Sequence, residues 1–223
     1  MGTLKVGILG LAGSGKDTFA SMLQEELSKL GHDFKIDRYA RPIKELTSRI
    51  FGLTLDEIEH RVTKELPARI NLTVLINECN AMLQYTLKFN PQELEQAQDL
   101  LYKYFAGCTE LSPRQFQQHF GTDVVRAVRP NAWVDILQER DENLIVPDVR
   151  FENELCSTNF LVMGYPNFTR PEHTSEHYAW DLEYGLSALP SGLTLIDNDP
   201  DMTTLEHLQD MAKCRVRRIP QQL

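Results

Sequence analysis

Residues 4–9 (Leu-Lys-Val-Gly-Ile-Leu) form a mostly apolar run, which predicts a central, buried first strand. A glycine-rich segment follows. Phe19, Met22, Leu23, Leu27 and Leu30 then recur at helical spacing until Gly31 stops the helix. Residues 34–39 alternate like a strand. Pro42 opens the next helix at its tolerated first position, with Ile43, Leu46 and Ile50 on one face and Gly52 at its end. Residues 53–107 are helical in pattern without clear strands: 55–65 is charged, 70–83 is rich in apolar residues and 91–106 is amphipathic. Ser112-Pro113-Arg114-Gln115 is a helix start, in which Ser112 caps and Gln115 completes a capping box. Phe116, Phe120 and Val124 share one face of that helix, which breaks at Pro130. The apolar run 143–148 predicts a strand ended by Pro147, and 148–154 then starts a helix with its acids at the N-terminal end. Residues 160–165 and 193–196 read as strands, and a helix over 204–214 closes the chain.

Strands alternating with helices predict one α/β domain over 1–223. A helical insertion is expected at about 53–110 and a lid-like loop at about 166–190. The 32 acidic residues against 23 basic give a net charge of −9, which argues against a nucleic-acid backbone binder. No apolar run reaches membrane length, so a soluble cytoplasmic protein is expected. Cys79, Cys108, Cys156 and Cys214 are widely spaced and read as reduced thiols. His173, Glu176 and His177 spell H-x-x-E-H, but they follow a proline in a polar loop with no third ligand. A lid over phosphates suits that loop better than zinc.

The candidate chemistry centres on Gly10-Leu11-Ala12-Gly13-Ser14-Gly15-Lys16-Asp17-Thr18, which matches G-x-x-x-x-G-K between a strand and a helix. Such glycines let successive N–H groups point into one concavity at a helix N-terminus, and Lys16 adds a point charge for phosphates. Asp17 stands where a magnesium-binding hydroxyl is usual, with Thr18 next, so direct contact of Asp17 with the metal is in question. Asp148, at the end of an apolar strand, is placed beside magnesium and phosphates. Lys44 falls at the carboxyl edge of the sheet. Arg114, Gln118 and Gly121 share a helix face that suits an approaching polar ligand. Arg61 and Lys64 read on sequence alone as a solvated face.

Several of these residues fall into one pattern. The chain resembles the bacteriophage deoxynucleoside monophosphate kinases, within the adenylate-kinase-like P-loop kinases. The resemblance rests on Ser14 to Thr18, on Ala40-Arg41-Pro42-Ile43-Lys44 and on His60-Arg61. Arg114, Gln118, Gly121-Thr122-Asp123 and Trp133-Val134 continue it, then Val146-Pro147-Asp148-Val149-Arg150 with Glu154, then His173 to Glu176 and Asp197-Asn198-Asp199. It is weakest over about 66–107.

The resemblance implies a P-loop NTPase-type five-stranded parallel sheet with helices on both faces, and transfer of the ATP γ-phosphoryl group to a deoxynucleoside monophosphate with Mg²⁺. It implies that Gly13, Ser14, Gly15, Lys16, Asp17 and Thr18 hold ATP, with Asn198 near its base. Arg61, Arg114, Gln118, Asp123, Asp148, Arg150 and Glu154 would frame the acceptor and magnesium, with Lys44 and Trp133 beside the acceptor. Lys16, Arg114, Asp148 and Arg150 would act in catalysis, and Asp17 and Asp148 toward the metal. A homodimer is consistent with the family, and a phage-encoded member would be expected in the host cytoplasm. Two alternatives stay open: another P-loop small-molecule kinase, such as a phosphomevalonate or dephospho-coenzyme A kinase, and a nucleotide-dependent switch with no acceptor.

Overall fold

The computed structural model describes residues 3–60, 62–164, 177–198, 203–216 and 219. The chain divides into two compact units, Met1–Tyr39 with Glu139–Leu223, and Ala40–Gln138.

The first unit holds a five-stranded parallel sheet. Its strands are β1 (Lys5–Leu9), β2 (Lys35–Ile36), β5 (Leu144–Val146), β6 (Thr158–Met163) and β7 (Leu193–Asp197), in the order β2-β5-β1-β6-β7. β1 is central, with Gly7 opposite Val146 on one side and Asn159 on the other. Its buried, nearly continuous apolar sequence is what a strand covered on both faces needs. Helices α1 (Lys16–Lys29) and α9 (Leu205–Val216) pack together. Their Phe19, Leu23, Leu27, Leu208 and Ala212 share a core with Val6, Ile8, Ile145, Phe160, Val162 and Ile196. Helix α8 (His177–Glu183) packs against β6.

Two expectations change in this unit. The strand read over 34–39 is only two residues long in the ladder. Beyond it, one more backbone bond runs from Asp37 N–H to Ile145 O, and then a side chain takes over as Tyr39 N–H donates to Asp148 Oδ1 at 3.0 Å, while the Asp37 carboxylate is paired with Arg140. The helix expected from 148 is a single 3₁₀ turn, Glu152–Glu154. The buried Glu154 carboxylate folds back to accept from Arg150 N–H at 2.6 Å and Phe151 N–H at 3.1 Å. That satisfies the donors locally without a helix, and β6 begins four residues later.

The second unit is helical. It holds α2 (Arg41–Phe51), α3 (Leu55–Glu59), a 3₁₀ turn (Thr63–Glu65), α4 (Leu72–Ala81) with a π turn (Met82–Thr86), and α5 (Pro91–Phe105). α6 (Pro113–Gln118), a π segment (His119–Arg126) and α7 (Ala132–Gln138) complete it. Gly52, in the left-handed region at φ 66°, ends α2. The expected insertion at 53–110 lies inside this unit. Residues 53–107 were expected to show no clear strands, but β3 (Ala68–Arg69) lies among them and pairs antiparallel with β4 (Glu110–Leu111) just beyond. Two residues per strand are too few for any periodicity to register. Phe116 stacks on Phe120 at 5.7 Å and meets Phe105 at 5.8 Å and Phe51 at 6.0 Å, which places the expected apolar face at the centre of this core.

Candidate functional site

β1 and α1 hold the glycine-rich loop between them. Gly13 and Gly15 lie at φ 83° and 85°, a region that costs other residues strain. Ser14 N–H donates to Leu11 O at 3.1 Å, which closes the turn. Gly15 occupies the N-cap of α1, and no side chain caps that helix. The cap position therefore leaves backbone N–H groups for a ligand anion. Lys16 Nζ donates to Leu11 O at 3.1 Å and so curls over the loop.

Asn198, at the end of β7, donates from Nδ2 to Ser14 O at 2.8 Å, and its backbone N–H is tied to Met163 O. A Cβ on Gly15 would sit 2.4 Å from that Nδ2. Asn198 thus lies against the loop backbone. Gly164 packs equally closely, for a Cβ there would lie 2.8 Å from Ser14 Cα. Ser14 is 3% exposed, and its Oγ has no hydrogen-bond partner. Asp17 is exposed and forms an ion pair with Arg38 at 2.7 Å, and Thr18 beside it is exposed.

Asp148 follows β5 and is 8% exposed. The parallel register brings this end of β5 beside the end of β1, where the glycine-rich loop starts. Around it lie Tyr39, whose hydroxyl donates to Glu154 O at 3.0 Å, and Cys156. Burial, then the neighbouring Cys156, raises the Tyr39 hydroxyl, and burial pushes the Cys156 thiol up to about 11. Both groups stay protonated near neutrality. Glu154 and Arg150 are joined through the carboxylate and the Arg150 N–H.

Of the expected lid, 165–176 lies outside the described residues, and so do His173 and Glu176. His177 begins α8, which carries Trp180 against Leu11 of the glycine-rich loop, with Tyr184 stacked on Trp180 at 3.9 Å. Burial pushes the Glu183 carboxyl, at the end of α8, up to about 7, and the Gly164 N–H on it partly offsets that shift. Its Oε2 has no hydrogen-bond partner.

In the second unit the capping box at Ser112 and Gln115 is present and sets Arg114 in the first turn of α6. Arg114 Nε lies 2.5 Å from Glu65 Oε1. Lys44 forms an ion pair with Glu59. Gln118 is half-buried at the end of α6. From His119 the chain continues as a π segment, so the spacing that joined Arg114 and Gln118 to Gly121 no longer holds. Gly121 is buried, its carbonyl accepts from Trp133 Nε1 at 3.1 Å, and a Cβ on it would lie 2.8 Å from Ile43 Cδ1. Its small size serves packing of α2, and the buried Trp133 indole is held against its carbonyl. Asp123 pairs with His119 at 2.9 Å, and His119 stacks on Tyr104. Arg61 lies outside the described residues. Sequence reasoning passed over His119, Glu59 and Glu65 and read Lys64 as part of a solvated face, because single charges on short elements carry no periodic signal.

No family model matches the chain. A deoxynucleoside-5′-monophosphate kinase of Escherichia phage T5 is 32% identical to it over 189 residues, which cover 71% of this chain and 74% of the relative. The chain belongs to the deoxynucleoside-5′-monophosphate kinase family. As a member it is a nucleotide kinase, and its five-stranded parallel sheet is that of a P-loop α/β protein. Among the described residues no helix is long and apolar enough to cross a membrane. No group of three or more His, Cys, Asp or Glu among them could hold a metal by itself. Magnesium in nucleotide kinases needs no such cage, since one or two carboxylates together with substrate phosphates suffice. Asp148, a nearly buried acid at the sheet edge, fits that demand. Asp17 would first have to leave Arg38.

Proposed function

We propose that the protein transfers the γ-phosphoryl group of ATP to the 5′-phosphate of a deoxynucleoside monophosphate, giving a deoxynucleoside diphosphate and ADP. The observation that carries this reading is the glycine-rich loop. It combines left-handed glycines, an uncapped helix N-terminus and Lys16 within a chain akin to a kinase of that acceptor class. Gly13 to Thr18 hold the ATP phosphates. Lys16 leaves its contact with Leu11 O and neutralises the charge on the transferred group. Bound magnesium would add charge neutralisation, with Asp148 as its protein ligand. Arg114 exchanges Glu65 for the acceptor phosphate, because its fork takes two phosphate oxygens at once. Lys44, Gln118, Asp123, Arg150 and Glu154 support the acceptor, and Arg61 joins them by its position in the family pattern. The attacking phosphate oxygen is already anionic, so alignment and charge neutralisation do the work that a strong base does elsewhere.

The test is ADP release in ATP–Mg²⁺, with and without each common deoxy- and ribonucleoside monophosphate. Release should depend on a deoxynucleotide, and Lys16→Ala should slow it at least ~10²-fold in a folded protein. ADP release indifferent to acceptor would contradict the reading in favour of a switch. Response only to a non-nucleotide phosphate would favour another small-molecule kinase.

A further inference from the structure

Four elements of the second unit pack against one another: α2 on α3 and α6, and the 3₁₀ turn on α3 and α6. Each brings charge to the group. Lys44 comes from α2, Glu59 from α3, Lys64 and Glu65 from the turn, and Arg114 from α6. Lys44 is paired with Glu59, and Arg114 lies against Glu65. The Arg114–Glu65 contact is close but misaligned, for the buried Arg114 Nε makes no hydrogen bond. Lys64 has no ion-pair partner among the described residues. Its ammonium is half-buried and its pKa lies below the usual lysine value, first because of burial and then because of the charge of Arg114, with Lys44 adding to it. Glu65 and Glu59 act the other way. Lys64 thus feels the other four groups, two cations and two carboxylates, which are themselves joined in the pairs Lys44–Glu59 and Arg114–Glu65. A half-buried lysine under the charge of two other cations is held in an unfavourable place unless an anion comes to it.

We infer that Lys44, Lys64 and Arg114 form one site for a dianionic phosphate monoester, in which Glu59 and Glu65 are resident counter-charges that the ligand's phosphate displaces. The inference rests on the acceptor reading above and extends it to Lys64 and to both glutamates. Surface ion pairs to carboxylates are weak and readily exchanged. A phosphate can instead meet the guanidinium fork and the Lys64 ammonium together, which neither glutamate does from its own element. The site selects for two charges, so a phosphate monoester is favoured over a diester or a carboxylate.

The test uses three variants of the whole chain, with kcat and KM for the deoxynucleotide and the Kd for ATP measured without acceptor. Lys64→Ala should lower kcat/KM for the acceptor about 10–100-fold, and Lys64→Arg should keep most of it. Glu65→Gln should move the other way, with an acceptor KM two- to fivefold lower, because a competitor for Arg114 has been removed. ATP affinity should stay within threefold throughout. A merely structural ion pair would give a raised or unchanged KM in Glu65→Gln, and that result overturns the inference. So does a Lys64→Ala protein within twofold of wild type. Should the wild type phosphorylate no deoxynucleotide at all, the functional reading fails, and inorganic phosphate then probes the site alone. Phosphate binding to Lys16→Ala protein that disappears on adding Lys64→Ala upholds the site, and equal binding overturns it.

Discussion

Glu183 shows how one side chain can be worked out from its surroundings. Its carboxyl sits at the end of α8, with the Gly164 N–H on it and its second oxygen buried without a partner. Burial penalises the charged form, so the folded-state pKa, about 7, lies above the ordinary value of 4.5. Below about 4.5 the group is protonated in both folded and unfolded chains and costs nothing. As pH rises toward 7 the unfolded chain ionises first, so stability falls through that window and levels off above it. Glu183→Gln keeps an acceptor for Gly164 and removes the charge. Melting temperatures across pH 4.5–8 should show the variant level with wild type at the acid end and more stable at pH 8. A constant offset at every pH would mean that packing, not ionisation, distinguishes the two. Nothing in the sequence marks Glu183, because its environment is made by Gly164 and α8 coming together from different stretches. Lys16 is the opposite case, since one local motif supplies both its neighbours and the reason to propose a task for it.

At the scale of elements, β7 braces the glycine-rich loop through Asn198, and α6 depends on its cap. Asn198→Ala removes the bond to Ser14 O and should weaken ATP binding about 2- to 13-fold, the equivalent of about 0.5–1.5 kcal/mol for one hydrogen bond. Acceptor KM at saturating ATP should hardly move. Equilibrium ATP titration decides it, and an unchanged Kd would show that the loop keeps its shape unaided. Ser112→Ala removes an acceptor from the Gln115 N–H and should cost about 0.5–2 kcal/mol, or about 1–8 °C in melting temperature for a chain of this size. Calorimetry checks it, with ATP affinity unchanged. Both helix starts at Pro42 and Pro113 and both glycine stops at Gly31 and Gly52 were legible, because capping is local chemistry. The π segment from His119 was not. Its extra residue per turn leaves no mark in the sequence, and it moves Gly121 from a ligand-facing row into contact with Ile43 and Trp133.

At the scale of the molecule, β1, β5 and β6 were readable because parallel strands buried on both faces are apolar throughout. The order β2-β5-β1-β6-β7 then places Gly10 and Asp148 at neighbouring strand ends. The extent of the second unit, Ala40–Gln138, was less legible than its helices, since no composition shift marks Tyr39 or Glu139. The proposed donor site is written in one contiguous motif. The cations proposed for the acceptor are scattered over Lys44, Lys64 and Arg114, and only packing of their elements unites them. The central claim is that a phosphoryl group leaves ATP and arrives on a deoxynucleoside monophosphate. It is tested most directly by incubating the protein with γ-labelled ATP, Mg²⁺ and each deoxynucleoside monophosphate, then separating the products. The account predicts label in a deoxynucleoside diphosphate, formed one for one with ADP and abolished in Lys16→Ala. Label recovered only as inorganic phosphate, at a rate no deoxynucleotide alters, would contradict it.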